Sequence, residues 1–298
     1  MTGTAIIAGC GYVGAPLAAS FARSGVPVVG LARSASGEAV PFPLWAADLT
    51  DPASLGEVRL RLDGGGFPRP WRAVHCASSG RGGAEAYRAV YVEGSQNLLA
   101  ALEPDRFVFT SSTSVYPQAG GEDVDESSPA EPDRETGRLL REAERIALAA
   151  GGNAVRLAGI YGPGRSFLLL RFLQGAAAID GDPGDAEAPG RLVNQIHRDD
   201  AAAALRAVLE NADPGQIFNA ADSMPMVQRE IYAELSARFA LPMPPVKAPD
   251  AARKRGWTNK RVLAEKLRAL GWQPQFPSFF TALDDAEFVA SIRALADG

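Results

Sequence analysis

Three glycines stand where backbone could cradle phosphate. The run Gly9-Cys10-Gly11-Tyr12-Val13-Gly14 has G-x-G-x-x-G spacing. In such a run the first glycine permits a tight turn, the second lets backbone approach a pyrophosphate, and the third lets a helix pack closely on the preceding strand. The free N–H groups and dipole of that helix then hold the phosphates. All six residues are therefore expected to line a dinucleotide. A second group, Ala32-Arg33-Ser34, governs which one. An acidic side chain there would accept hydrogen bonds from the ribose 2′-hydroxyl of NAD and repel the 2′-phosphate of NADP. Ala32 takes that place, and Arg33 can make charge-assisted hydrogen bonds to the phosphate, each worth about 1.5 to 3 kcal/mol. NADP is expected ahead of NAD; a solvated surface arginine is the competing reading of Arg33. A third group is rich in hydroxyls: Ser111-Ser112-Thr113-Ser114, followed by Tyr116.

The elements around these groups read as alternating strands and helices. Thr4 to Ala8 is a short apolar run suited to a buried parallel strand. Val13, Leu17 and Phe21 then share one helix face, Pro16 falls in the first turn, and Gly25 stands where a left-handed cap is expected. Further strands are expected over Val26 to Leu31, Leu44 to Leu49, Trp71 to Ala77 and Arg106 to Ser111, with a helix over Ala84 to Leu102. All would end at the edge that bears the glycine loop, which brings Asp48, Leu49, Ala77, Ser78 and Ser111 into the expected cofactor lining. Asp48 suits either the adenine amino group or the N-cap of the helix that follows Asp51-Pro52.

Composition narrows the class. The 298 residues are 46% hydrophobic, enough for a large core. A formal charge of −5 and a pI near 5.3 argue against general nucleic-acid binding, and Arg253-Lys254-Arg255 is too short to reverse that. No segment approaches the ~20 apolar residues of a membrane span, and the N-terminus lacks a basic, cleavable signal, so a cytoplasmic protein is the expectation. Cys10 and Cys76 fall in core segments, which disfavours a disulfide framework. His75 and His197 lack neighbouring ligands at metal spacing, so no metal site is expected.

Beyond the glycine loop, the chain carries Ala47-Asp48-Leu49-Thr50-Asp51, Val74-His75-Cys76-Ala77, Tyr91-Val92-Glu93-Gly94, Thr110-Ser111-Ser112-Thr113-Ser114-Val115-Tyr116, Arg156 to Gly164 and Ile196-His197-Arg198-Asp199-Asp200. In this order the segments resemble the extended short-chain dehydrogenase/reductase superfamily, which includes nucleotide-sugar epimerases and dehydratases. The resemblance implies an α/β fold: a doubly wound Rossmann sheet over about 1–165 and a smaller C-terminal substrate region over 166–298, with about 191–225 returning to the sheet. It also implies a small-molecule substrate, and a homodimer through helices near Ala84 to Leu102 and Arg134 to Ala150.

The departures concern catalysis. The family's Tyr-x-x-x-Lys helix aligns so that Thr136 replaces the tyrosine and Leu140 the lysine. Tyr91 replaces an asparagine, and extended members more often use G-x-x-G-x-x-G. Ser112 matches the family's serine or threonine by its offset from Val115-Tyr116. Positioned acid–base catalysis is worth about 10²- to 10⁴-fold, so another group would have to supply the acid. Tyr116 and Tyr161, each following a strand, are candidates beside core roles, as is His197 beside a role in anchoring the C-terminal region. Ser112 and Thr113 are expected to touch substrate, with Arg165 and Arg171 at its distal part. The Ala176 to Gly190 stretch reads as a mobile loop or lid. The leading expectation is an NADP-linked oxidoreductase or epimerase/dehydratase-like enzyme with an altered site. A noncatalytic NAD(P)-binding sensor and a non-redox cyclase or lyase are the alternatives.

Overall fold

The computed structural model describes residues 3–34, 39–80, 82–249 and 258–297; Arg253-Lys254-Arg255 lies outside them. Seven parallel strands form the central sheet: β1 (Thr4–Ala8), β2 (Val28–Ala32), β3 (Leu44–Ala46), β4 (Trp71–His75), β5 (Arg106–Ser112), β6 (Asn153–Leu157) and β7 (Ile217–Ala220), in the order 3-2-1-4-5-6-7. The order reverses beside β1, so the crevice outside the carboxyl ends of β1 and β4 is the topological switch point where such sheets bind ligands. The strands read as near-continuous apolar runs because both faces are covered. Helices α1 (Gly14–Arg23) and α5 (Arg198–Asn211) pack against each other on the sheet, while α2 (Pro52–Gly64), α3 (Gly94–Leu102) and α4 (Glu135–Ala149) form a second packed group.

The single helix expected over Ala84 to Leu102 is broken. An α turn at Ala84–Tyr87 runs into a π-helical segment, Arg88–Glu93, before α3 begins. A π segment adds a residue to the turn and is frequent at functional sites. Here it carries Tyr91, whose hydroxyl accepts from the Ser79 amide at 3.3 Å and whose ring meets Tyr87 edge-on at 4.9 Å. The aromatic cluster continues to the fully buried His75 and to Phe109. His75 is a core residue, its Nε2 hydrogen-bonded to the Val90 carbonyl at 3.0 Å, and burial pushes its pKa down to about 4.

A second apolar cluster lies in the C-terminal region, built from Leu169, Phe172, Ile179, Ile231, Leu235, Phe279, Phe288 and Ile292. The Ala176 to Gly190 stretch, expected as a mobile loop or lid, borders this cluster and is anchored at a few points. Ile179–Asp180 pairs in parallel with Val246–Lys247, Ala177 and Ala188 are buried, and Arg229 donates to the Ala188 carbonyl. The Ala/Gly/Asp/Pro composition hides these few anchors. Asp200 fastens the tail by accepting from the Gln275 and Phe276 amides at 2.6 and 2.9 Å.

One buried network joins α4 to three neighbouring strands at their ligand edge. Arg156 on β6 donates from Nε and Nη2 to Glu144 of α4 at 2.9 and 2.8 Å, and from Nη1 to the Tyr116 hydroxyl at 2.7 Å. Ser111 on β5 donates to the same Glu144 carboxylate at 2.6 Å, and the Tyr116 hydroxyl also lies 2.9 Å from Asn219 Oδ1 on β7. Arg141 adds a further cation. Burial pushes the Glu144 pKa up, but Arg156, Ser111 and Arg141 outweigh it, so the carboxyl is held below the usual range. Glu144→Ala would leave Arg156 buried and uncompensated, a change expected to cost about 3 to 5 kcal/mol, whereas Glu144→Leu with Arg156→Met is expected to cost much less. Urea denaturation checks both; a single-mutant loss below about 1 kcal/mol would contradict the role given to the pair.

Candidate functional site

Each loop glycine has its own physical reason. Gly9 adopts φ +97°, and a Cβ there would lie 2.1 Å from the Ala77 amide nitrogen, so the loop presses on the backbone that leaves β4. A Cβ on Gly14 would meet the Gly9 carbonyl oxygen at 2.2 Å, which fixes how closely α1 starts to the turn. At Gly11 a Cβ would meet nothing within 4 Å: this face opens outward. No side chain caps α1. A tight turn, an open backbone face and an uncapped helix start form a cradle that suits a dinucleotide diphosphate.

Cys10 and Tyr12 are half-buried in this loop, and Val13 is buried. Burial pushes the Cys10 thiol up to about 11 and the Cys76 thiol up to about 12, which leaves neither as a ready thiolate. At the neighbouring strand end Ala32 is half-buried, and Arg33 and Ser34 are exposed. Asp48 is also exposed, and its carboxylate accepts from the Thr50 amide at 2.9 Å and hydroxyl at 2.8 Å. Those bonds hold its pKa down, with a smaller contribution from the positive charge of Arg33. Asp51, not Asp48, caps α2 by accepting from the Ala53 amide. Leu49 is buried, Ala77 is half-buried against Gly9, and Ser78 is exposed with its hydroxyl accepting from the Gly80 amide.

On the other side of the switch point, Ser112 is half-buried and caps the short 3₁₀ turn Thr113–Val115 by accepting from the Ser114 amide at 3.2 Å. Thr113 is buried inside that turn. Ser111 points the opposite way, into Glu144, as the alternation of a strand requires. Thr136 sits half-buried in the first turn of α4, and Leu140 is buried in the core.

The model of the NAD dependent epimerase/dehydratase family matches residues 5–221. The chain belongs to this family. Protein YeeZ of Escherichia coli K12 is 32% identical over 199 residues, which cover 65% of this chain and 67% of YeeZ. A solved structure of a putative NAD-dependent epimerase/dehydratase from Methylobacillus flagellatus is 29% identical, with a TM-score of 0.74 over 98% of this chain and 100% of the other. The UDP-glucose 4-epimerase of Thermus thermophilus, solved with NAD, shares the fold at a TM-score of 0.77 and 19% identity, over 97% of this chain and 99% of the other.

Within this family fold, the residues considered as substitute acids are placed in the core. Tyr116 is fully buried, its hydroxyl held by Arg156, Asn219 and the Asp125 carbonyl. Tyr161 is buried against His197, Phe279 and Phe288, with its hydroxyl 3.3 Å from the Ser278 carbonyl, and burial raises its pKa far above the usual value. His197 caps α5 through Nδ1, which accepts from the Asp199 amide at 3.3 Å. Its ring lies 3.9 Å from Phe276, and burial lowers its pKa. Arg171 spends its guanidinium on the Ala176 carbonyl at the end of its own short helix, and Arg165 lies over the Tyr12 ring.

Two groups escaped the motifs. The Ser79 hydroxyl, two residues past Ala77, is buried with no partner among the described residues. Lys260 is buried, its ammonium donating to the Tyr116 carbonyl at 3.0 Å and the Thr258 hydroxyl at 2.7 Å, and burial, with Arg191 second, pushes its pKa down to about 8. Only its pairing with the Glu122–Val124 strand brings it to the Ser112 turn, and no spacing rule shows that.

No group of three His, Cys, Asp or Glu among the described residues could hold a metal, and none of their helices is long and apolar enough to cross a membrane.

Asp222, just past β7, is buried, and burial followed by repulsion from Asp200 pushes its pKa up to about 7 from 3.8. A raised carboxyl pKa leaves stability intact below the unfolded value and erodes it as pH climbs to the folded one. Asp222→Asn is therefore expected to stabilise the protein at pH 8 by up to about 4 kcal/mol, at 1.36 kcal/mol per pKa unit, with the gain vanishing near pH 3.5. Denaturant midpoints across that range test this; a gain that does not depend on pH would contradict it.

Proposed function

We propose that the chain binds NADP(H) at the glycine loop and acts as an oxidoreductase or epimerase/dehydratase-like enzyme on a small carbonyl/hydroxyl or sugar-like substrate, with a reduced acid–base apparatus. The observation that carries the reading is the pairing of two sterically required glycines, Gly9 and Gly14, and an open Gly11 with an uncapped helix start at the switch point. The bound nicotinamide supplies or accepts hydride.

The chain's own residues orient the reaction. Ser112 offers a hydroxyl to a substrate oxygen, and Thr113 shapes the turn beneath it. Gly9 to Gly14 hold the diphosphate, Asp48, Leu49, Ala77 and Ser78 border the nucleotide, and Arg33 meets the 2′-phosphate. Thr136 stands where the family's tyrosine stands, but a threonine hydroxyl cannot reach the phenolate state that makes tyrosine a base near neutral pH. With Tyr116 and Tyr161 engaged in the core, catalysis rests on positioning.

The burial of Leu140 in the α4 core favours a second reading, a noncatalytic nucleotide sensor. It predicts the same binding without turnover.

Calorimetric titration with NADP⁺, NADPH, NAD⁺ and NADH separates these from a structural relic. NADP(H) is expected to bind more tightly than NAD(H), and Arg33→Asp to weaken NADP(H) about 10- to 100-fold while sparing NAD(H). Silence from all four nucleotides would contradict the cofactor assignment; a preference for NAD(H) would contradict the role of Arg33.

A further inference from the structure

Tyr12 is flanked by two cations from the C-terminal half of the chain. The guanidinium carbon of Arg165 lies 5.2 Å from the ring centroid and that of Arg198 lies 5.4 Å from it. The phenol donates to the Pro163 carbonyl at 3.1 Å, which fastens the Gly162–Arg165 turn to the glycine loop. The turn packs closely there: a Cβ on Gly162 would lie 2.9 Å from the Tyr12 hydroxyl and 3.1 Å from His197 Nε2. Burial pushes the phenol up to about 12, so it stays neutral and cancels neither charge.

The charges around the ring do not balance. Arg198 engages Asp199 through Nε at 2.9 Å and Nη2 at 3.5 Å, which leaves its Nη1 without a partner among the described residues. Arg165 is exposed and has no side-chain ion pair or hydrogen bond among the described residues. An unpaired guanidinium beside an uncapped helix start and an open glycine face adds positive charge where a dinucleotide carries its diphosphate. The planar fork of arginine matches phosphate oxygens two at a time.

We propose that Arg165 and Arg198 clasp the diphosphate of the dinucleotide, so that cofactor binding fastens the C-terminal half onto the glycine loop. This rests on the cofactor reading above. It moves Arg165 from the distal part of the substrate site to the cofactor, and gives Arg198, which departs from no motif noted in the sequence, a ligand-facing role.

Calorimetry on the full chain with two probes tests it: NADP⁺, which carries the diphosphate, and adenosine 2′-monophosphate, which does not. Arg165→Gln is expected to weaken NADP⁺ about 10- to 100-fold, as the loss of a charged hydrogen-bond donor should, and to leave adenosine 2′-monophosphate within about threefold. Arg165→Lys should fall between, keeping charge but losing the fork. Arg33→Gln should weaken both probes, which distinguishes the two ends of the nucleotide. Arg198→Gln should follow Arg165→Gln, with its thermal midpoint measured because it also loses the Asp199 pair. NADP⁺ binding that Arg165→Gln and Arg198→Gln change less than twofold would overturn the clasp and leave the cofactor assignment standing. No NADP⁺ binding by the unaltered chain would instead overturn that assignment, and the clasp with it.

Discussion

The ion pair between Arg156 and Glu144 sets the geometry of the ligand edge. Ser111 hydrogen-bonds to the carboxylate and Tyr116 to the guanidinium, so the Ser112 turn is pinned at both ends by the same buried pair. Neither charge reaches water, and each is tolerated only because its hydrogen-bonding capacity is filled by the other and by the flanking hydroxyls. The helix that supplies Glu144 is the one on which the family's Tyr-x-x-x-Lys pair would stand. In this chain it carries Thr136 in its first turn, Leu140 in the core and the buried carboxylate of Glu144.

How much of this was legible follows from which constraints are local. The strand, turn and helix at the N-terminus satisfy a short-range rule at each position, so motif and geometry coincide from Thr4 to Phe21. Elsewhere, one sequence pattern was compatible with two structures. Ala84 to Leu102 has helical periodicity, but the packing of Tyr91 against His75, Tyr87 and Phe109 widens the middle into π geometry. Tyr116 and Tyr161 both follow strands, yet whether such a ring turns to solvent or to the core depends on partners 40 to 117 residues away. Lys260 reaches the site through a strand pairing across more than 130 positions of the chain. Such contacts leave no periodic trace.

Two ends of one nucleotide impose different electrostatic demands. At the adenosine end a single exposed arginine stands near an exposed carboxylate, Asp48, whose charge is partly absorbed by Thr50. At the diphosphate end helix amides, a neutral phenol and two arginines gather with one carboxylate between them. On the proposed reading the first arrangement would discriminate, because Arg33 would meet a phosphate that only NADP has. The second retains, because every dinucleotide of the class carries a diphosphate. On the proposed reading the cofactor would be held through backbone and charge, independently of Thr136 and Leu140.

A crystal structure with NADP⁺ tests the central claim most directly. The diphosphate is expected on the amides that begin α1, facing Gly11, with the 2′-phosphate against Arg33 and the nicotinamide on the Ser112 side of the switch point. Crystals soaked at saturating NADP⁺ that show the glycine loop empty, or the nucleotide seated away from the switch point, would contradict it.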